Sequence, residues 1–297
     1  MSQLSTVTNR RKPVSLYARK THAGNLLFLL PTFLLFAFVV LVPFFQGIPY
    51  SFTNWKSIVS TKYSFNGLAN YRYLLNNKFF LMSLGVTFKF TLFYMLSSNL
   101  MGFFLALLLR QTSRFNNFSR TVFFLPFTVS VTAAAIVWSY VFTDIYGTIT
   151  GLVSPLGLEG QIVNAMVLIG SWRDMGYTML IYLAAMQTIS KDYYEAASIE
   201  GAGPFQQFRR ITLPMIVPAF TANITITLAW GLRTFDLPMV VSTTKRAGQT
   251  TAVYVYQSIF ANNNAGLGQA AAIILTIILV VLTQIVTYTL RRAEVEL

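Results

Sequence analysis

Ser190-Lys191-Asp192-Tyr193-Tyr194-Glu195-Ala196-Ala197-Ser198-Ile199-Glu200-Gly201-Ala202-Gly203-Pro204, running on through Phe205, Phe208, Ile211 and Leu213 to Pro214, is polar, helix-prone and set between two long apolar segments. Its residues predict two short helices. Ser190 can cap the first, whose opening turn holds Asp192 at the positive end of the dipole, and Gly201 is placed to end it. A second helix can start at Gly203-Pro204, because proline lacks only an N–H that the first helical turn leaves unpaired anyway. Phe205, Phe208 and Ile211 then recur at three-residue spacing and predict one apolar face. Two short helices joined at a glycine bend make a compact knob.

The surroundings of this knob are apolar. A chain of 297 residues with 55% hydrophobic and 10% charged residues, including 26 Phe, has too little polar surface to coat a soluble globule. Six segments are long enough for a bilayer core of about 30 Å, which takes roughly 20 helical residues each. They are 25–50, 81–109, 119–142, 162–188, 214–241 and 270–290. The expectation is an all-α integral membrane protein of six helices, with the two-helix loop at 190–213 between the fourth and fifth. A basic tail would occupy 1–24, the membrane domain 25–290 and a short tail 291–297. The first segment is too long for a secretory h-region and no small-residue cleavage site follows it, so it reads as a retained span.

Basic residues set the orientation. Thirteen Lys and Arg fall in the N-terminal tail, the 2–3 loop, the 4–5 loop and the C-terminal tail, against six in the alternate loops. Both termini and the knob are therefore expected on the cytoplasmic side. The formal net charge of +13 is scattered over tails and loops rather than gathered on one stripe, which argues against nucleic acid as a partner. Zero cysteines exclude disulfides, thiolate metal sites and cysteine nucleophiles, and the one histidine, His22, reads as a solvated tail residue. The chain holds no G-x-x-x-x-G-K-[ST] phosphate loop. No catalytic cluster points to an enzyme, and a secondary transporter would need coupling carboxylates or inverted repeats that the sequence does not display.

The knob also resembles a known loop. Glu195, Ala196, Ala197, Glu200, Gly201, Ala202, Phe208, Leu213 and Pro214 match the loop that permease subunits of binding-protein-dependent ABC importers insert into their ATPase; Glu200 stands where that family usually carries Asp and keeps its charge. Other stretches resemble the carbohydrate-uptake, maltose-type branch. They are Pro31, Pro43 and Ser51-Phe52-Thr53, then Phe65-Asn66-Gly67-Leu68-Ala69-Asn70-Tyr71, then Phe123-Phe124-Leu125-Pro126, Trp138 and Tyr146-Gly147. The resemblance implies a bacterial or archaeal cytoplasmic-membrane protein that pairs with a second homologous permease, two ATPase subunits and an extracellular solute-binding protein. Sugar or oligosaccharide would cross between the two permeases. ATP and Mg would be held by the ATPase, with no cofactor in this chain; a charged sugar or a glycerophosphate compound is the alternative cargo.

Polar residues inside spans mark the expected pathway, because charge in hydrocarbon is costly and faces a bundle interior or water. Gly170, Arg173, Asp174 and Tyr177 share one helical face, as do Asn223, Thr227, Trp230 and Thr234. By resemblance, Arg173, Asp174, Tyr177, Thr227, Trp230 and Thr234 fall where sugar-contacting residues occur in maltose-type permeases. Aromatic faces suit the C–H surface of a pyranose, and the polar groups suit its hydroxyls. The competing reading makes Arg173–Asp174 and Arg233–Asp236 helix-locking ion pairs. Lys89, near a span end, can snorkel and is given no transport role.

Overall fold

The computed structural model describes residues 27–57, 59–60, 62–242 and 246–292. The basic tail expected at 1–24, His22, Lys245 and residues 293–297 lie outside them. Among the described residues the chain is helical, with one isolated antiparallel bridge between Thr53 and Phe65 and no strand.

Helix α1 (Leu27–Tyr50) is taken by itself: 24 residues, with none of its most apolar window buried. It contains a π turn at Ala37–Leu41, where the Val42 amide donates to the Ala37 carbonyl. Proline 43 follows directly; the wider turn relieves the clash that its ring would make with the carbonyl four residues back.

The rest of the chain begins by folding its Ser51-Phe52-Thr53 stretch onto the Phe-Asn-Gly-Leu-Ala-Asn-Tyr segment. Gly67 takes φ +60°, a turn conformation that costs glycine little. That turn leads into α2 (Ala69–Asn76), where the Asn70 side chain donates to the Ser51 and Thr53 carbonyls at 2.8 and 2.9 Å. The Tyr71 and Ser51 hydroxyls bond at 2.7 Å. Asn77 then caps α3 (Lys78–Leu108) by accepting from the Phe79 and Phe80 amides.

Helices α4 (Arg114–Thr128) and α5 (Val131–Thr150) occupy the third apolar segment, and they meet at 96°. The span expected at 119–142 is thus not one continuous helix. Pro126 removes a helix N–H, Val129 turns extended, and Ser130 starts a new helix by accepting from the Ala133 amide at 3.2 Å. Then come α6 (Ile162–Gln187), α7 (Lys191–Ile199), α8 (Pro204–Gln207), α9 (Val217–Leu232), α10 (Asp236–Val241), α11 (Thr251–Tyr256) and α12 (Ala265–Arg291). The fifth apolar segment also breaks, at Arg233 to Phe235 between α9 and α10.

Among the described residues, α1, α3, the α9–α10 stretch and α12 are long and apolar enough to cross a bilayer, with the bent α4–α5 pair a fifth crossing if it counts as one. Helix α6 has the length but is interrupted by Ser171, Trp172, Arg173 and Asp174, which dilute its apolar character.

The core is formed by α3, α6 and α9. Small residues allow close approach where no hydrophobic force drives helices together in lipid: a Cβ on Gly102 of α3 would sit 2.8 Å from the Met179 backbone nitrogen of α6. Hydrogen bonds tie the same three helices. Thr178 donates to the Ser98 carbonyl at 2.9 Å, Tyr182 to the Asn99 side chain at 2.7 Å, Asn99 to Thr227 at 3.0 Å, and Asn223 to the Thr178 carbonyl at 3.1 Å.

Candidate functional site

The knob forms as its residues dictate. Ser190 caps α7 by accepting from the Asp192 amide at 3.3 Å. At the other end Gly201 adopts φ +81°, the Ala202 amide donates to the Ala197 carbonyl at 2.9 Å and the Gly201 amide to the Ser198 carbonyl at 3.0 Å. This is a Schellman closure, and it accounts for a glycine four residues beyond Ala197: only there must the backbone turn left-handed. Pro204 opens α8 at its first turn.

Phe208 and Ile211 are half-buried while Phe205 is exposed, and residues Phe208–Thr212 form a π turn ahead of Pro214. Phe208 turns inward to Phe103, with ring centres 6.4 Å apart, while Phe205 remains 75% exposed and Ile199 88% exposed. Glu195, Ala196, Glu200 and Gly201 are exposed; Ala197, Ala202, Leu213 and Pro214 are half-buried. Gln207 braces the bend, donating to Ser198 Oγ at 2.9 Å and to the Ala202 carbonyl at 3.1 Å.

The polar faces of α6 and α9 also come together. They bound a cleft of about 310 Å³ whose walls include Phe127, Arg173, Asp174, Trp230, Arg233, Thr234 and Asp236. Asp174 is buried, accepting from the Tyr94 hydroxyl at 2.5 Å and from Arg173 at 2.5 Å. Arg173 in turn donates to the Val129 and Phe127 carbonyls at 3.1 and 3.4 Å. Those are the last carbonyls of α4, unpaired at the 96° bend, so Arg173 is a C-terminal cap as well as a cleft wall. Its guanidinium lies over the Phe127 ring, 5.1 Å from the centroid.

Aromatic rings line up beside this pair. Phe127 stacks on Tyr177 at 4.8 Å and on Trp230 at 6.1 Å, and Tyr177 lies 5.1 Å from Trp230. Trp230 and Thr234 face the cleft, whereas Tyr177 stands behind them, outside its lining. Thr227 is not in the cleft: fully buried, it accepts from Asn99 and donates to the Asn223 carbonyl at 2.7 Å. Among the described residues Arg173–Asp174 is the one ion pair, and Arg233 and Asp236 are exposed without pairing to each other. The residue missed from sequence is Phe127, which directly follows Phe123-Phe124-Leu125-Pro126. Lys89 is exposed and outside the lining of the cleft.

Comparison with known proteins agrees with this architecture. The chain is 34% identical over 279 residues to the probable starch degradation products transport system permease protein AmyD of Thermoanaerobacterium thermosulfurigenes, covering 91% of this chain and 95% of that one. It is 29% identical over 231 residues to the sn-glycerol-3-phosphate transport system permease protein UgpA of Escherichia coli O157:H7, covering 74% and 78%. Its fold matches a bacterial ABC transporter that imports the acidic polysaccharide alginate, with TM-score 0.79 and 21% identity over 94% of this chain and 99% of that one. The same transporter in complex with an alginate pentasaccharide-bound periplasmic protein matches with TM-score 0.78 and 22% identity, over 93% and 97%. With residues 98–295 also matched by the family described as binding-protein-dependent transport system inner membrane component, the chain belongs to that family of multi-pass membrane transport subunits.

Proposed function

We propose that this chain is the permease subunit of an ATP-driven importer of neutral sugars or oligosaccharides. The observation that carries the reading is the likeness to AmyD over nearly the whole of both chains. Counting the bent α4–α5 pair and the polar α6 each as a crossing alongside the four apolar spans gives six, with both termini cytoplasmic by the basic-residue asymmetry. The α7–α8 knob then lies on the cytoplasmic side. Its exposed Ile199 and Phe205, on a rigidly closed bend, suit insertion into an ATPase groove, where ATP and Mg are held.

The cleft beside Trp230 furnishes one wall of the route, and a second homologous permease closes it. Trp230 presents a ring for a pyranose face; Thr234, Arg233 and Asp236 offer hydrogen-bonding groups for hydroxyls. Arg173 and Asp174 are spent on each other, on Tyr94 and on the bend, and so organise the wall. Tyr177 and Phe127 hold the Trp230 ring in place. Capture of cargo falls to an extracellular binding protein, as in the pentasaccharide-bound alginate complex.

The relatives that carry glycerol-3-phosphate support a second reading, a phosphorylated cargo. Charge favours the neutral one. The cleft holds Arg233 and Asp236 beside the internally neutralised Arg173–Asp174 pair, so this wall has no cationic surplus for a phosphate. The deciding experiment reconstitutes the chain with its sister permease, ATPase subunits and binding protein, and follows labelled maltooligosaccharide and glycerol-3-phosphate. Oligosaccharide uptake that needs both ATP and binding protein supports the proposal. Uptake driven by an ion gradient without ATP, or of glycerol-3-phosphate alone, refutes it.

A further inference from the structure

A second recess lies away from the cleft, where α2 meets the first turn of α3. It has a volume of about 950 Å³ and is walled by Arg72, Tyr73, Lys78, Phe79 and Met82. Tyr73, Phe79 and Met82 are 55, 47 and 46% exposed, which leaves a broad apolar floor uncovered. A polar recess of about 300 Å³ adjoins it through Tyr73, Phe79 and Met82 and adds Arg246, whose guanidinium lies 3.9 Å from the centre of the Phe79 ring. Three basic residues thus surround one apolar floor. Neither recess has an Asp or Glu in its walls, and none of the three is ion-paired among the described residues.

The depth of this floor follows from helix length. Helix α3 has 31 residues, which at about 1.5 Å each span roughly 46 Å, against about 30 Å of hydrocarbon. The excess of about 16 Å, shared between the two ends, puts about 8 Å beyond the hydrocarbon at each, so the first turn, Lys78 to Met82, runs through the headgroup region down to the border with the acyl chains. Arg72 and Lys78 can reach the headgroups while the floor below meets hydrocarbon. A soluble acidic protein would satisfy the three charges and leave Phe79 and Met82 uncovered. An acidic phospholipid satisfies both at once.

We infer that the recess framed by Arg72, Lys78 and Arg246 is a binding site for an anionic phospholipid, with the phosphate between the basic side chains and an acyl chain on Phe79 and Met82. Each basic residue near a membrane surface strengthens anionic-lipid binding by about fivefold. The assembled transporter would be purified and titrated with phosphatidylglycerol and phosphatidylcholine, and the lipid retained on it measured by native mass spectrometry. Wild type should prefer phosphatidylglycerol. Arg72→Gln, Lys78→Gln and Arg246→Gln should each weaken that preference about fivefold, and the triple variant should abolish it. Arg72→Lys and Arg246→Lys retain charge and should retain the preference, which separates the site from a folding defect.

Equal retention of the two lipids by wild type would overturn the assignment. So would a triple variant that still prefers phosphatidylglycerol. Loss of binding-protein association in the glutamine variants with lipid retention unchanged would overturn it in favour of a protein partner.

Discussion

Gly201→Ala and Gly203→Ala make a matched pair in the knob, because a Cβ at either position meets nothing within 4 Å. Their backbones differ: Gly201 has φ +81°, Gly203 has φ −71°. Sterics around the site cancel in the comparison, leaving the cost of a left-handed alanine, about 1–2 kcal/mol, at Gly201 alone. That cost falls on the Schellman closure, whose two amides belong to Gly201 and Ala202. Local opening of the bend should become about 5- to 30-fold more frequent. Hydrogen exchange on the permease pair without its ATPase reads this directly: the Ala202 amide should exchange faster by that factor in Gly201→Ala and be unchanged in Gly203→Ala. With the ATPase present, the first variant should couple hydrolysis to uptake less well, and the second should behave as wild type. Equal acceleration in both, or none in Gly201→Ala, would refute the reasoning that the glycine is there for its backbone angle.

Arg173→Ala should destabilise the assembled protein by about 3–5 kcal/mol, because it strands the buried Asp174 and uncaps α4; thermal unfolding in detergent measures this, and a wild-type midpoint would contradict the capping role. Trp230→Ala should slow oligosaccharide uptake per assembled complex by an amount corresponding to about 1–3 kcal/mol, with Phe127→Ala and Tyr177→Ala acting through the Trp230 ring and shifting selectivity less. Equal effects on all sugars from Trp230→Ala would remove it from the route. Asp174→Asn should lower the yield of assembled complex and spare selectivity among sugars. For topology, Ser119→Cys and Ser5→Cys should be shielded from an impermeant thiol reagent in intact cells, and Ser60→Cys and Ser154→Cys labelled; Ser5 lies outside the described residues, and its labelling in sealed cells would invert the orientation.

Local sequence chemistry was readable wherever one residue does one backbone job. Ser190, Gly201 and Pro204 each stand where capping rules put them, and the knob follows. Helix breaks were harder to see. Pro126 and the Arg233-Thr234-Phe235 stretch sit inside segments that are apolar enough on average to cross a bilayer, so a reading by length and hydropathy took each as a single span. The π turn at Phe208–Thr212 escaped for a related reason: three-residue spacing assumes a uniform helix, and one extra residue per turn rotates everything after it. At the cleft, Asp174 and Trp230 were found because polar and aromatic groups are conspicuous in a span. Phe127 was hidden among 26 phenylalanines, and Thr227 lay on the right face but too deep, already committed to Asn99.

The Asn99 amide has a mechanical consequence. One side chain on α3 accepts from Tyr182 of α6 and donates to Thr227 of α9, while Gly102 brings backbones nearly into touch one turn away. Sliding any of these three helices would break bonds that hydrocarbon cannot replace, so the bonds resist movement of α3, α6 and α9 past one another. The helical rods flanking this block are broken at Val129–Ser130 and at Arg233–Phe235. Both breaks border the cleft, so a change of angle at either one would move its walls.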